Sequence, residues 1–312
     1  DDETVTPADS AQLMKELFLL AELDTEAEDL RREMDFSFSF AGVGRFRVNA
    51  YRQRGTLAAV LRSVPFELPD SGKLHIPDSI LSLAENQNGI ILVTGAAGSG
   101  KSTTLTCMID KINSERPGHI VTIEDPIEFL HKHKKSIISQ REIGIDTESY
   151  SDALRAALRQ SPNVILLGEM RDNETMSIAM TAAETGQLVL STLHTVGAAN
   201  TVDRIIDGFP TNQQQQIRMQ LSMVLKAVIS QQLLPDTNGT LYPVFEVMVV
   251  NNAIRTMIRE NKTHQIETVM QTTPGMQTMD SAVFKLFSEG IISEETAVEY
   301  ASSPAMMSKK IE

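Results

Sequence analysis

Cysteine is almost missing from this chain, with Cys107 alone among 312 residues. One thiol permits no internal disulfide and no four-cysteine zinc site, a usage that suits a reducing cytoplasm. Also missing is any run approaching the roughly 18 uninterrupted apolar residues that a membrane-spanning helix needs. The residues from Asp1 onward show no basic stretch followed by an apolar one, so no signal peptide is expected. Basic residues are in deficit, 28 Lys and Arg against 41 Asp and Glu, for a formal charge of −13. Nucleic acid and anionic lipid reward clustered Lys and Arg, so neither is expected as a direct partner. The deficit is local: residues 1–35 hold twelve acids against Lys15, Arg31 and Arg32, which accounts for nine of the thirteen net negative charges.

What is present is ordinary globular composition, 41% hydrophobic and 22% charged, in a length that suggests roughly two domains. Thr6 before Pro7 reads as an N-cap with proline at the first helical position, and Leu13, Leu17, Leu20 and Ala21 recur at helical spacing. Thr25 with Glu28 reads as a capping box that opens a second helix to about Met34. Then Phe36, Phe38 and Phe40 alternate with Ser37 and Ser39 as in a half-buried strand, and Ala41-Gly42-Val43-Gly44 turns into Arg45-Phe46-Arg47-Val48, a hairpin signal. A third strand is expected over 57–64, before Pro65, Pro69 and Pro77 break regular structure. The expected division is an α+β domain over 1–70, a linker over 71–78 and an α/β domain over 79–312.

Beyond Pro77, strands over 90–94, 120–123, 164–167 and 188–193 alternate with helices from Gly100, from Ser151 and near 173–184, which implies a parallel sheet with helices on its faces. From about Thr211 the pattern is mostly helical, with one strand over 241–250 and a helical region over 251–312. Gln213 to Gln216 read as an exposed helical turn, and Met219 and Met223, beside Leu221, Val224 and Leu225, as helix packing.

Gly95-Ala96-Ala97-Gly98-Ser99-Gly100-Lys101-Ser102 fits G-x-x-x-x-G-K-[ST], which chance alone produces in roughly one chain of this length in a hundred. It follows an apolar run and leads into a helix, the order its chemistry requires. Glycines let backbone amides turn toward phosphates, the helix N-terminus adds partial positive charge, Lys101 reaches the β and γ phosphates, and the Ser102 hydroxyl ligates magnesium. The candidate nucleotide-binding set is Gly95, Gly98, Ser99, Gly100, Lys101, Ser102 and Thr103, with ATP and Mg2+ as ligands.

Two acidic groups follow apolar strands. Val164-Ile165-Leu166-Leu167 ends in Gly168-Glu169, where Glu169 is placed to hold magnesium through water or to orient an attacking water. Glu124-Asp125-Pro126-Ile127-Glu128 follows the 120–123 strand and reads either as a solvated turn or as the source of a general base.

These segments, in this order, resemble the secretion ATPase superfamily that drives type II secretion and type IV pili, and within it the PilT-type pilus retraction ATPases. Thr122-Ile123-Glu124-Asp125-Pro126-Ile127-Glu128-Phe129 is similar to the family's aspartate box, Gly168-Glu169-Met170-Arg171-Asp172 to its Walker B segment, and the stretch from Thr185 to Thr195 to its histidine box. The Cys-x-x-Cys pairs of the extension and secretion ATPases are missing, and Ala253-Ile254-Arg255-Thr256-Met257-Ile258-Arg259-Glu260 and Gly275-Met276-Gln277-Thr278-Met279-Asp280 resemble retraction-type elements. The resemblance implies a RecA-like P-loop core with a helical C-terminal region, and a smaller, N-terminally incomplete PAS-like domain. It implies Glu128 as catalytic base, Glu169 as the Walker B glutamate, His194 as a γ-phosphate sensor, and Arg47 and Arg62 as arginines that clamp the nucleotide. Read by themselves, those two arginines fit a solvated strand face. It further implies a homohexamer at the cytoplasmic face of the bacterial inner membrane, reaching the membrane only through partners, which are a platform protein of the pilus and related pilus ATPases.

The sequence departs from the family at Gln187, which stands where the first histidine of the histidine box is usual, and at Ala96, Ala97, Thr256 and Met257. His131-Lys132-His133-Lys134-Lys135 reads as a solvated face or subunit contact. Ile254 and Ile258 share one helix face, as do Arg255 and Arg259, which suits docking as well as packing on the same domain; the resemblance favours docking or coupling. The expected activity is an ATP-hydrolysing motor for pilus retraction. An extension or type II secretion ATPase shares the chemistry but pushes outward, a RecA-like nucleic-acid translocase requires DNA-stimulated hydrolysis, and a non-catalytic scaffold requires ATP binding without phosphate release.

Overall fold

A computed structural model describes residues 4–24, 30, 33–40, 43–64 and 67–312. Most of the helix expected from Thr25 to about Met34 lies outside the described residues, as do the turn residues Ala41 and Gly42 and Pro65; its described part, Leu30, Glu33 and Met34, is not helical, and Met34 opens a strand. The chain divides into two compact units, one of Asp1–Leu68 with Glu128–Leu130 and one of Pro69–Ile127 with His131–Glu312.

In the first unit, helix α1 (Pro7–Leu20) begins with a capping box in which the Thr6 hydroxyl accepts from the Asp9 amide and the Asp9 carboxylate accepts from the Thr6 amide. It packs on an antiparallel meander of β1 (Met34–Phe40), β2 (Gly44–Gln53) and β3 (Thr56–Val64). The buried stripe of α1 is Met14 and Phe18, worth about 2 kcal/mol each, with Leu17 beside them. Leu13 and Leu20, expected on the core face, are exposed, because the helix is rotated one position toward the aromatic side chain that meets Phe36 edge-on. Arg54 and Gly55 both have positive φ and form the two-residue turn that closes β2 onto β3.

The second unit runs through α2 (Asp78–Leu81), β4 (Gly89–Thr94), α3 (Lys101–Glu115), β5 (Gly118–Glu124), β6 (Ser136–Glu142), α4 (Tyr150–Ala157), β7 (Val164–Leu167), α5 (Asn173–Glu184), β8 (Leu188–Leu193), α6 (Ala198–Asp207), α7 (Thr211–Val224), β9 (Leu225–Pro235) and β10 (Leu241–Val249). It ends in α8 (Asn252–Arg259), α9 (Ile266–Thr272), α10 (Met279–Ser288), α11 (Glu294–Glu299) and α12 (Pro304–Ile311). The sheet order is β10-β9-β4-β8-β7-β5-β6, parallel except for β10, which runs antiparallel beside β9. Its central strands β4, β7 and β8 are buried at every position, as a parallel sheet covered on both faces requires. The period of two then sorts them into two cores. Ile90, Leu92, Ile165, Leu167 and Val189 face one helical layer, while Ile91, Val93, Val164, Leu166 and Leu190 face the other. The C-terminal helices build a third core on β9 and β10 around Leu234, Val244, Val283 and Leu286.

Two expectations fail here, and the sheet has one further strand. Residues 225–235 are strand, not helix, and β6 was not anticipated. Met219 and Met223 are exposed on α7, while Ile217, Leu221 and Val224 pack inward. The proline-rich stretch over 69–77 has no helix or strand but lies on the second unit: Cys107 Sγ is 3.5 Å from the Pro69 carbonyl, and the His75 ring stacks on Tyr242 at 4.6 Å. Among the described residues no helix is long and apolar enough to cross a membrane.

Candidate active site

The glycine-rich loop joins the C-terminal end of β4 to α3, and its shape depends on β9 packed behind it. Gly95 has φ +142°, and a Cβ there would lie 2.3 Å from the Gln231 carbonyl oxygen; at Gly100, φ +87°, it would lie 2.8 Å from the Gln231 amide nitrogen. Neither position admits a side chain. Gln231 is buried, and its side-chain oxygen accepts from the Thr104 hydroxyl at 2.7 Å, which fixes the first turn of α3 to the strand. No side chain caps α3, so its first amides and positive dipole end remain for an anion. Lys101 is 7% exposed and arches back over the loop, donating to the carbonyls of Gly95 (3.0 Å) and Ala96 (2.8 Å). The buried Ser99 hydroxyl has no partner among the described residues, and Ser102 and Thr103 are half-buried in the first turn. The loop therefore offers amides, an ammonium and hydroxyls to a phosphate chain.

Glu169 follows β7. Gly168 brings the chain close to β5, its amide donating to the Ile123 carbonyl at 2.8 Å, and its own carbonyl accepts from the Thr192 hydroxyl at 2.6 Å. A Cβ at Gly168 would stand 2.8 Å from the Tyr150 hydroxyl, so a side chain there requires the tyrosine to shift. Burial, with the carboxylates of Asp125, Glu169 and Glu124 nearby, pushes that hydroxyl well above its ordinary pKa. The Glu169 side chain is 13% exposed, paired with Arg171 and 3.2 Å from His194 Nε2. Burial pushes its carboxyl up, but Arg171 and then His194 outweigh burial and hold it below the ordinary carboxylate value. Glu169 is therefore an anion at neutral pH. A cavity of about 530 Å3 opens beside it, lined in part by Arg171, His194 and Arg204.

Glu124 ends β5 and accepts from Thr122 (2.6 Å) and Gln140 (3.2 Å), so the first acid of its group is held within the sheet. A cis peptide joins Asp125 to Pro126, and the Ile127 amide donates to the buried Glu142 carboxylate at 3.2 Å. Glu128 groups with the first unit, as do Arg47 on β2 and Arg62 on β3. His194 lies just past the C-terminal end of β8, on the same edge of the sheet as the loop and Glu169. Gln187 precedes the other end of that strand, about 20 Å away at 3.3 Å per residue, and its side chain accepts from Thr185. The substitution of the first histidine thus leaves the phosphate edge of this unit untouched.

The basic segment after the aspartate-containing loop divides: His131 is half-buried, with burial lowering its pKa to about 4, while Lys132 to Lys135 are exposed. On α8 the sequence-based preference for a docking ridge is corrected, because Ile254 and Ile258 are fully buried in the second unit's own core and only the Arg259 side faces outward. Sequence reasoning missed Gln231, Tyr150 and Arg171 as parts of the site. Polar residues interrupting an apolar run, Ser230 and Gln231 after Val228 and Ile229, were the available signal for the first; nothing local marks Tyr150.

A phosphate loop between a central parallel strand and a helix, with an ionised carboxylate after a strand of the same sheet, defines a P-loop ATPase of RecA-like architecture. The sequence pattern of the family described as Type II/IV secretion system protein matches residues 73–241. A twitching motility protein of Neisseria gonorrhoeae is 50% identical over 280 residues, 88% of this chain and 75% of the relative. The type IV pilus retraction ATPase PilT of Pseudomonas aeruginosa is 46% identical over 274 residues, 87% of this chain and 80% of the relative. The crystal structure of a pilus retraction motor PilT with bound ADP superposes with a TM-score of 0.85 at 52% identity, covering 89% of this chain and 80% of that one. The chain belongs to the type II/IV secretion system family and is an ATPase of its pilus-retraction branch.

Proposed function

We propose that this chain hydrolyses ATP in a homohexameric ring whose closures pull type IV pili inward and so drive twitching motility. The observation that carries the reading is the buried Lys101 arched over a loop that β9 holds open to phosphate, in a fold 52% identical to an ADP-bound retraction motor. Gly95, Gly98, Ser99, Gly100, Lys101, Ser102 and Thr103 bind the triphosphate through amides, ammonium and hydroxyls. Glu128 takes a proton from the attacking water as its oxygen bonds to the γ phosphorus and the bond to ADP breaks.

Ser102 and Glu169 suit Mg2+, since a hydroxyl and an ionised carboxylate are hard oxygen donors. Magnesium bound there would neutralise charge on the phosphates. Among the described residues no cluster of three or more His, Cys, Asp or Glu side chains is placed to hold a metal without the phosphates. His194, hydrogen-bonded to Glu169, reports the state of the γ-phosphate. Arg47 and Arg62 supply guanidinium forks to the transferring phosphoryl group. The domains follow as a partial PAS-like domain over 1–70, a linker over 71–78 and a RecA-like motor over 79–312. The ring works at the cytoplasmic face of the inner membrane, against a platform protein of the pilus and beside related pilus ATPases.

The test replaces Lys101 with Ala and Glu128 with Gln. Both variants should lose ATP hydrolysis by at least about 100-fold and fail to restore twitching in a strain lacking retraction. Hydrolysis at the unmodified rate by either variant refutes the site; normal hydrolysis with no restored retraction refutes the motor role.

A further inference from the structure

Glu246 is a half-buried carboxylate that the reaction does not use. It lies on β10 directly opposite Ser230 of β9. Its Oε1 accepts from the amide of Ala198 at 2.5 Å, and its Oε2 accepts from the amide of Met279 at 3.1 Å. Those amides belong to the first residues of α6 and α10, so one side chain receives the N-termini of two helices that are far apart in sequence. The Ser230 hydroxyl accepts from Gly197 at 3.0 Å. The paired residues Ser230 and Glu246 therefore grip consecutive amides of the turn that leads out of His194.

The other end of the connection is equally tied. The segment before α10 is zipped to β10 by reciprocal Val247 and Gln277 backbone bonds, and Gln277 Nε2 donates to the Phe245 carbonyl at 2.7 Å. This segment, with Gly275, Met276, Gln277, Thr278, Met279 and Asp280, is one that sequence singled out and hydrolysis leaves unexplained. On β9, moreover, Ser230 adjoins Gln231, which braces the phosphate loop.

Desolvation of a carboxylate costs several kcal/mol unless hydrogen bonds and local dipoles return it. Here two amides and two helix N-termini return part of it. Burial still outweighs the two amide bonds and raises the carboxyl above its ordinary value, with Glu267 and Asp280 adding to the rise. Only an acceptor with two oxygens serves both helices; the amide of glutamine would set a donor against one of the two N–H groups.

We propose that Glu246 is a positioning residue that couples the His194 turn to the C-terminal helical region, so that the starts of α6 and α10 move as one when the nucleotide state changes. The proposal rests on His194 reporting nucleotide state. It assigns a role in coupling to a residue that takes no part in the hydrolysis step.

Amide hydrogen exchange of the full chain, with and without ADP and magnesium, tests it. In the unmodified protein, ADP should slow exchange by about fivefold or more both at residues 197–199 and at residues 280–284. In Glu246→Gln the first response should persist and the second fall below about twofold. A purely structural role would raise exchange by the same factor in both conditions and leave the ADP response intact, which would overturn the proposal. Met279→Pro is the second variant: proline is accepted at the first helical position and removes the donor while leaving the carboxylate. It should abolish the response at 280–284 as well, and an undiminished response in this variant also overturns the coupling. Lack of response at 197–199 in the unmodified protein would remove the His194 reading and this proposal with it. A response there, with 280–284 still following ADP in the variants, would remove the coupling alone.

Discussion

Arg47 on β2 and Arg62 on β3 stand directly opposite each other in the antiparallel register, and neither side chain has a hydrogen bond or ion pair with another described residue. Like charges at that distance destabilise a sheet by about 0.2–1 kcal/mol. An anion bound between them reverses the sign. Replacing either arginine with alanine should therefore leave thermal stability unchanged or slightly higher while kcat falls by about 100-fold or more. Melting curves and steady-state hydrolysis measured together decide it; unchanged turnover would return the pair to a solvated strand face.

Arg171 is what keeps Glu169 acidic in a site whose burial works the other way. A carboxyl lowered in the folded state contributes stability that is complete above its unfolded value near 4.5 and lost as pH falls through its lower folded value. In Arg171→Ala burial should dominate, and the acidic limb of the pH profile for kcat/KM should move to higher pH. A limb that stays in place would show that Glu169 ionisation does not limit turnover.

Gln231 braces the phosphate loop from behind. Cutting it to alanine leaves the buried Thr104 hydroxyl unsatisfied, at about 1–3 kcal/mol. ADP should then bind about 5- to 100-fold more weakly, read by titration, with the same fold present by circular dichroism. Unchanged affinity would mean that the backbone of β9 alone shapes the loop.

How far the sequence could be read depended on whether the information was local. The phosphate loop has its own strand, glycines and helix on one continuous stretch, Gly89 to Glu115, so β4, α3 and Lys101 were all legible. β9 was not, because Val224 ends a helix and Leu225 begins a strand with no glycine, proline or asparagine between them. The Gln231 to Thr104 bond spans 127 positions, and no window on the sequence holds both. On α1 the pattern gave the right element and the wrong face, since Leu13 and Met14 differ by only about 100° around the axis. Site roles for Glu128, Arg47 and Arg62 came from resemblance, whereas Glu169, His194 and the loop also share one edge of the sheet.

Gly168 and Tyr150 occupy space that an aspartate would need. Gly168→Asp should lower both stability and turnover, and Tyr150→Ala should recover part of the loss, giving a coupling of about 0.5–3 kcal/mol in a double-mutant cycle. Additive losses would show that the contact at 2.8 Å is relieved elsewhere.

Gln187→His restores the residue usual in the histidine box, yet it sits at the far end of β8 from His194. Turnover should change by less than about twofold, against a loss of about 100-fold for His194→Ala. A large gain from Gln187→His would mean that this end of the strand takes part in hydrolysis through a neighbouring subunit.

The junction of α7 and β9 has no slack, for the last helical residue is Val224 and the first residue of the strand is Leu225. A loop would absorb a change in direction; a bare joint passes it on. A displacement of α7 should therefore be felt in the ladder that β9 shares with β4, and binding linkage is reciprocal. A load on α7 should therefore change how tightly this chain holds ADP, just as ADP should change the stiffness of that joint, so that force acts on the chain as a ligand does.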